Sequence, residues 1–256
     1  LKEIGMGGRR ADPNRNLELF LSDIRLSLDR YRRLEAALEA AGEDNPIRKG
    51  VAEDAAFRLG VLWETFQADW YLAAISRDPT AFVDKMKGRL GEAVVDKWAK
   101  TVIESFTPGA LTIPKNPTVA QIVTMLDRKG LNVTFEDVTA WKKHADSHLG
   151  AAHRARVNAI ASNTEASSLL WYLKKLRNLH AHGSDNGKEE FNKAARSRGP
   201  KEKIGLVGER NRPLQRASRE VSDIGRFLRA KTADELRRVE LLHTRVADVA
   251  NMLRTS

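Results

Sequence analysis

Apolar residues recur every three or four positions along most of this chain, and that period constrains the fold more than any other feature. Between Asn16 and Ala41 they stand at Leu17, Phe20, Ile24, Leu28, Tyr31, Leu34 and Leu38, the spacing of one face of an α-helix. Gly42 and the polar run to Gly50 end that stretch. A second helix is expected over Ala52 to Ser76, with Leu59, Leu62, Trp63, Phe66, Trp70 and Ile75 as its buried stripe. Asp78-Pro79 restarts the chain, and a third helical stretch extends to about Phe106 with Gly88 and Gly91 as break points. The segment from Thr107 to Thr118 holds Pro108, Gly109, Pro114 and Pro117 and reads as a loop. Shorter helices follow over Val119 to Lys129 and Phe135 to His148. A helix from Thr164 to Ala181 carries Leu169, Leu170, Leu173 and Leu176, with Thr164 as its N-cap and Gly183 as its stop. Ala233 to Leu253 forms the last. No alternating strand pattern and no internal repeat is present, so the expected class is all-α.

The charge balance narrows the partners. Lys and Arg number 44 against 34 acidic residues, a formal net charge of +10, and such an excess favours a polyanion, nucleic acid first. A basic soluble protein without such a partner is the alternative. The excess is concentrated between Lys193 and Arg219, where Lys193, Arg196, Arg198, Lys201, Lys203, Arg210, Arg212, Arg216 and Arg219 face only Glu202 and Glu209. Gly199, Pro200, Gly205, Gly208 and Pro213 make this segment a basic loop. Its Arg196, Arg198, Lys201, Lys203, Arg210 and Arg212 are the candidate RNA-binding residues. There is no cysteine, which excludes disulfides, thiolate catalysis and cysteine-ligated zinc and fits a reducing, cytoplasmic setting. No run approaches the roughly 20 apolar residues of a membrane span, and the polar, glycine-containing Leu1 to Arg10 has no signal-peptide pattern.

The segment that carries chemistry is Leu169-Leu170-Trp171-Tyr172-Leu173-Lys174-Lys175-Leu176-Arg177-Asn178-Leu179-His180-Ala181-His182-Gly183. An arginine is followed directly by asparagine, and five residues on by a histidine and then glycine, at the end of an amphipathic helix. Here the chain resembles the HEPN superfamily, whose nuclease members carry an R-N-x-x-x-H signature at a helix end. The aromatic-rich Val61-Leu62-Trp63-Glu64-Thr65-Phe66 is similar to the early helix of the RiboL-PSP-HEPN group. The resemblance covers the early helices, the motif helix and the last helix. It implies a HEPN-like helical bundle over 1–256, with a helical insertion at about 86–162 and the basic loop at about 193–219. It also implies metal-independent RNA cleavage without a cofactor, by groups that act from two facing protomers of a homodimer. Related proteins are often toxins or antiviral defence effectors, so a regulatory or antitoxin protein is a further expected partner.

The residue types suit that reaction. RNA carries its own nucleophile, the 2′-hydroxyl. A histidine with a reference pKa near ~6.5 accepts that proton or protonates the leaving 5′-oxygen. Arginine stays charged and offers a planar fork to phosphate oxygens. The candidate catalytic residues are Arg177, His182 and Asn178, with His180 and Glu64 as auxiliaries and Glu64 placed to orient Arg177. Asp69 has the same standing as Glu64. Taken singly, Arg177 has a role open to it as a carboxylate's partner, Asn178 as a link to a neighbouring helix, and His182 as a cap suited to the helix dipole. A five-residue step turns a regular helix about 500°, leaving the two positions roughly 140° apart. Convergence therefore requires the helix to end near His182 or a second subunit to supply one partner. The alternative function is a non-catalytic HEPN-like module that binds RNA or a regulatory protein; a helical interaction protein with incidental charge is a third.

Other patterns are weaker. His144 and His148 share a helix face, and His153 follows with Asp146 nearby, but the H-E-x-x-H pattern of zinc proteases is lacking, so no metal is expected. Gly5-Met6-Gly7-Gly8 lacks the lysine and preceding strand of a phosphate loop.

Overall fold

A computed structural model describes residues 11–43, 45–93, 101, 105, 112–126, 133–182, 185–196, 221, 223–232 and 235–255. The fold is all-α: among the described residues the elements are α1 (Pro13–Ala40), α2 (Asn45–Arg77), α3 (Thr80–Ala93), α4 (Val119–Leu126), α5 (Val138–His148), α6 (Ala151–Ser162), α7 (Thr164–His182), α8 (Asp185–Arg196), α9 (Ile224–Arg229) and α10 (Arg238–Asn251). No helix among them is long and apolar enough to cross a membrane. The chain divides into two compact units: residues 1–16, 67–157 and 255, and residues 17–66, 158–254 and 256.

Local chemistry moves several helix ends from their expected places. α1 begins at Pro13 rather than Asn16, because proline suits the first helical position and the Asp12 carboxylate accepts from the Asn14 amide at 3.0 Å. It ends in a Schellman motif: Glu43 N–H donates to the Leu38 carbonyl at 2.9 Å and Gly42 N–H to Glu39 at 3.2 Å, with Gly42 at φ 69°, a conformation cheap only without a side chain. α2 starts at Asn45, not Ala52. The polar run forms its first turns because Pro46 is tolerated there and Arg48 and Lys49 hold ion partners, Glu35 at 2.7 Å and Asp223 at 2.6 Å. α5 starts at Val138 after the Asp137 cap, which accepts from Ala140 N–H at 2.7 Å. The cap of α7 is Asn163, not Thr164: its side-chain oxygen accepts from Ala166 N–H at 3.0 Å. α10 starts at Arg238 rather than Ala233, since Lys231 and Arg237 form an antiparallel bridge before it. Three helices, α6, α8 and the short α9, lie outside the expected set. α6 buries only Val157, Ile160 and His153 of its larger side chains, too few to mark a face. α8 takes in Lys193 to Arg196, so the start of the expected basic loop is helical. The third helix is described to Ala93, and its expected continuation to Phe106 lies mostly outside the described residues, as does Gly183.

The first unit is built on aromatic packing. Trp70 and Trp141, both fully buried, meet edge-on at 6.2 Å, and Tyr71 meets Phe135 at 5.0 Å. Such T-shaped pairs add to the stabilisation that burial gives. α3 packs against α5 here. In the second unit Phe20 stacks on Phe66 with ring centres 4.1 Å apart, and Trp63 meets Phe20 edge-on. α7 packs against α8 and α10, and α9 against α10. Tyr172 of α7 meets Phe191 of α8 at 5.4 Å. Arg238 is buried, yet it donates to the Phe227 carbonyl at 2.9 Å and lies 4.5 Å over that residue's ring.

Each unit also buries a histidine within reach of a hydroxyl. In the first, Tyr71 Oη lies 2.7 Å from His148 Nδ1 and 3.3 Å from the His144 carbonyl, while His148 Nε2 is buried without a partner. Both bonds are satisfied when Nδ1–H donates to the hydroxyl and the hydroxyl donates to the carbonyl. In the second, His243 Nδ1–H donates to Val239 at 2.7 Å and Nε2 lies 3.2 Å from the Ser27 hydroxyl. Burial lowers both rings to about 4. The unfolded chain, with histidine near ~6.5, takes up protons that the folded chain refuses. Stability is therefore complete above about pH 6.5 and falls as pH drops toward 4, by up to ~1.4 kcal/mol per pH unit per histidine. Denaturant unfolding at stepped pH between 7 and 4.5 is expected to show that decline; a flat profile would mean that neither ring is held neutral by the fold.

Candidate functional site

All the site residues described with their side chains lie in the second unit, on α2 and α7. Arg177 occupies the penultimate turn of α7. Its Nη2 lies 3.0 Å from Glu64 Oε2 on α2, with the two side chains 29% and 30% exposed, so the pair is reachable by solvent. Its Nη1 donates to Asn178 Oδ1 at 3.0 Å. Nε is buried without a partner. One hydrogen on each terminal nitrogen remains for an incoming anion among the described residues, and the two neighbours fix the plane of the fork. Glu64 thus stands at ion-pair distance from Arg177, and Asn178 contacts the same guanidinium from its own helix.

One turn further along α7, His180 packs on Phe57 with ring centres 4.8 Å apart, and its Nε2 lies 3.4 Å from Asp54 Oδ1. The two contacts repeat one arrangement, a candidate site residue of α7 beside a carboxylate of α2. Between them α2 carries Gly60. A Cβ there would stand 2.7 Å from Arg177 Cβ and 3.0 Å from its Cγ, so the absent side chain sets how closely the helices approach at the arginine. Gly60→Ala is expected to displace Arg177 and destabilise the fold by about 1–3 kcal/mol, the usual range for overpacking. Thermal unfolding together with an RNA-cleavage assay checks this; unchanged stability and activity would show that the contact has slack.

His182 is the last residue of α7, and the helix is continuous from Arg177 to it. The two positions therefore stand about 140° apart around the axis, whereas His180 stands about 60° from Arg177. Within one chain the histidine that shares Arg177's side of the helix is His180. The side chain of His182 lies outside the described residues. So does that of Arg196, and so do Arg198, Lys201, Lys203, Arg210 and Arg212. Lys193, at the start of the basic run, is paired with Glu189 at 3.1 Å and Glu190 at 3.0 Å.

Asp69 belongs to the other unit, where its carbonyl accepts from Asn16 Nδ2 at 3.0 Å. Of the histidines on α5 and α6, His148 and His153 are buried and His144 is exposed; His153 meets the Trp70 ring at 5.7 Å. No group of side chains suited to a metal ion occurs among the described residues. Sequence reasoning missed Asp54, Phe57 and Gly60. The signal was their spacing with Glu64, at steps of three and four on α2, which only the partner helix makes meaningful. Comparisons with protein-family models, curated proteins and solved structures found no significant match.

Proposed function

We propose that this chain is a metal-independent RNA endonuclease of the HEPN type, using the 2′-hydroxyl of its substrate as nucleophile. The observation that carries the reading is Arg177, held by Glu64 and Asn178 at the edge of solvent, in a helix that closes on His182. Arg177 would steady the phosphate as charge develops. His182 would move the proton between the 2′-hydroxyl, the phosphate and the leaving 5′-oxygen. Because the two positions diverge around one helix, each site would take its arginine from one protomer and its histidine from the partner of a homodimer. A toxin or defence role, restrained by a regulatory protein, fits such an activity. The test is incubation of the purified protein with mixed RNAs in EDTA, beside Arg177→Ala/His182→Ala. Cleavage by the wild type alone supports the nuclease.

A second reading, a non-catalytic helical module that binds RNA or a regulatory protein, is favoured by one observation: Arg177 is already engaged by two partners of its own chain. RNA binding without cleavage in the same experiment supports it.

A further inference from the structure

The groove between α1 and α2 has chemistry that the motif leaves unexplained. It encloses about 390 Å³, within the range of small-ligand sites, roughly 300–1,000 Å³. Arg30 and Leu34 of α1 line one wall, and Asp54, Phe57, Arg58 and Val61 of α2 the other. Arg30 and Arg58 are exposed and form no ion pair with a carboxylate among the described residues, unlike the arginines of the same helices at 32 and 48. Leu34 and Val61 are 42% and 38% exposed, leaving an apolar lining open to a guest.

We propose that this groove is a subsite for one nucleotide of a single-stranded RNA, next to the motif helix. The proposal rests on the nuclease reading for the identity of the polymer, and on the groove itself for the contacts. Two unpaired guanidiniums suit phosphate. An aromatic ring with an apolar lining suits a base face. A carboxylate accepts from ribose hydroxyls or base amino groups, and it would repel an acidic peptide. A nucleotide is the ligand class that uses all three. The groove is also continuous with the candidate site, because Asp54 and Phe57 are the two residues that hold His180. A base seated there would place its backbone along α2 toward Glu64 and Arg177.

The test uses the full chain in EDTA and a 2′-O-methyl oligoribonucleotide carrying 4-thiouridine, which lacks the nucleophile and so binds without being cut. Irradiation is expected to cross-link it within residues 27–34 or 51–61. Arg30→Gln/Arg58→Gln, both at exposed positions, is expected to keep the circular dichroism of the wild type. It should raise the dissociation constant about 10-fold or more. It should also lower the slope of log affinity against log salt by about 1.4, from two lost phosphate contacts on a single strand. An unchanged constant and slope, or cross-links confined to other segments, overturns the subsite, as does a wild type that binds no RNA. A variant that lowers the solution mass and leaves RNA affinity untouched marks the groove as a contact between copies of this chain and also overturns it. Cleavage of unmodified RNA is scored separately. Binding through the groove without cleavage sinks the nuclease and leaves the subsite. Cleavage with unaltered affinity in the double variant does the reverse.

Discussion

His182→Ala is expected to lower the rate of RNA cleavage by about 10²–10⁴-fold, the usual worth of a positioned general acid or base. His180→Ala is expected to cost less, because its ring is committed to Phe57 and Asp54. The helical content of His182→Ala should match the wild type, since the residue closes α7 and lies outside the apolar stripe of Leu169, Leu170, Leu173 and Leu176. Mixing separates a shared site from a site within one chain. If Arg177 and His182 act from opposite protomers, a heterodimer of Arg177→Ala and His182→Ala keeps one intact site and loses the other. Random exchange makes about half the dimers mixed, so the blend should regain about a quarter of wild-type activity from two inactive parents. A blend that stays inactive after demonstrated subunit exchange places both groups in one chain. Full activity in His182→Ala, with His180→Ala inactive, would move the proton transfer to the histidine that shares Arg177's side of the helix.

The parts of the fold legible in the sequence are those whose side chains repeat with the helix. The stripe of α1 predicted Leu17, Phe20, Ile24 and Tyr31 as core, and all four are buried. Leu34 belonged to the same stripe by spacing but is exposed, because periodicity marks a line on a helix and does not say where along that line cover ends. The first turns of α2 were illegible for the opposite reason. Arg48 and Lys49 are held by Glu35 and Asp223, partners 13 and 174 positions away, which no local window contains. The motif helix was read correctly as an element, and Glu64 was named for Arg177. The companion pair of Asp54 and His180 was not, since an aspartate on a polar stretch of helix has no signature until its neighbour is in place.

Glu35→Gln is expected to destabilise the protein by about 3–5 kcal/mol, the range for removing one partner of a buried ion pair. Glu35 is 4% exposed and receives three arginines from three parts of the second unit: Arg48 at 2.7 Å, Arg229 at 3.0 Å and Arg237 at 2.7 Å. Burial opposes the carboxylate's charge. Hydrogen bonds from Arg48 and Arg229, together with the field of Arg237, outweigh that and hold its pKa below the ordinary value. An amide in the same place keeps the shape and removes the charge, so three guanidiniums that are each 13–22% exposed would converge with only the exposed carboxylate of Glu39 to offset them. The cluster ties α1 to the start of α2, to α9 and to the approach to α10, so its loss should lower the unfolding midpoint of the second unit as a whole. Glu39→Gln is the internal control. Glu39 is 62% exposed, touches Arg48 and Arg237 from the solvent side, and is expected to cost no more than about 1 kcal/mol. The pH dependence has a fixed sign. A carboxylate whose folded pKa is depressed stabilises fully above its unfolded value near ~4.3 and loses that contribution as pH falls. Denaturant titrations at pH 7 and pH 3.5 should therefore separate wild type from Glu35→Gln widely at the first and less at the second. An equal gap at both would mean that the side chain acts through its shape and hydrogen bonds, with its charge contributing nothing.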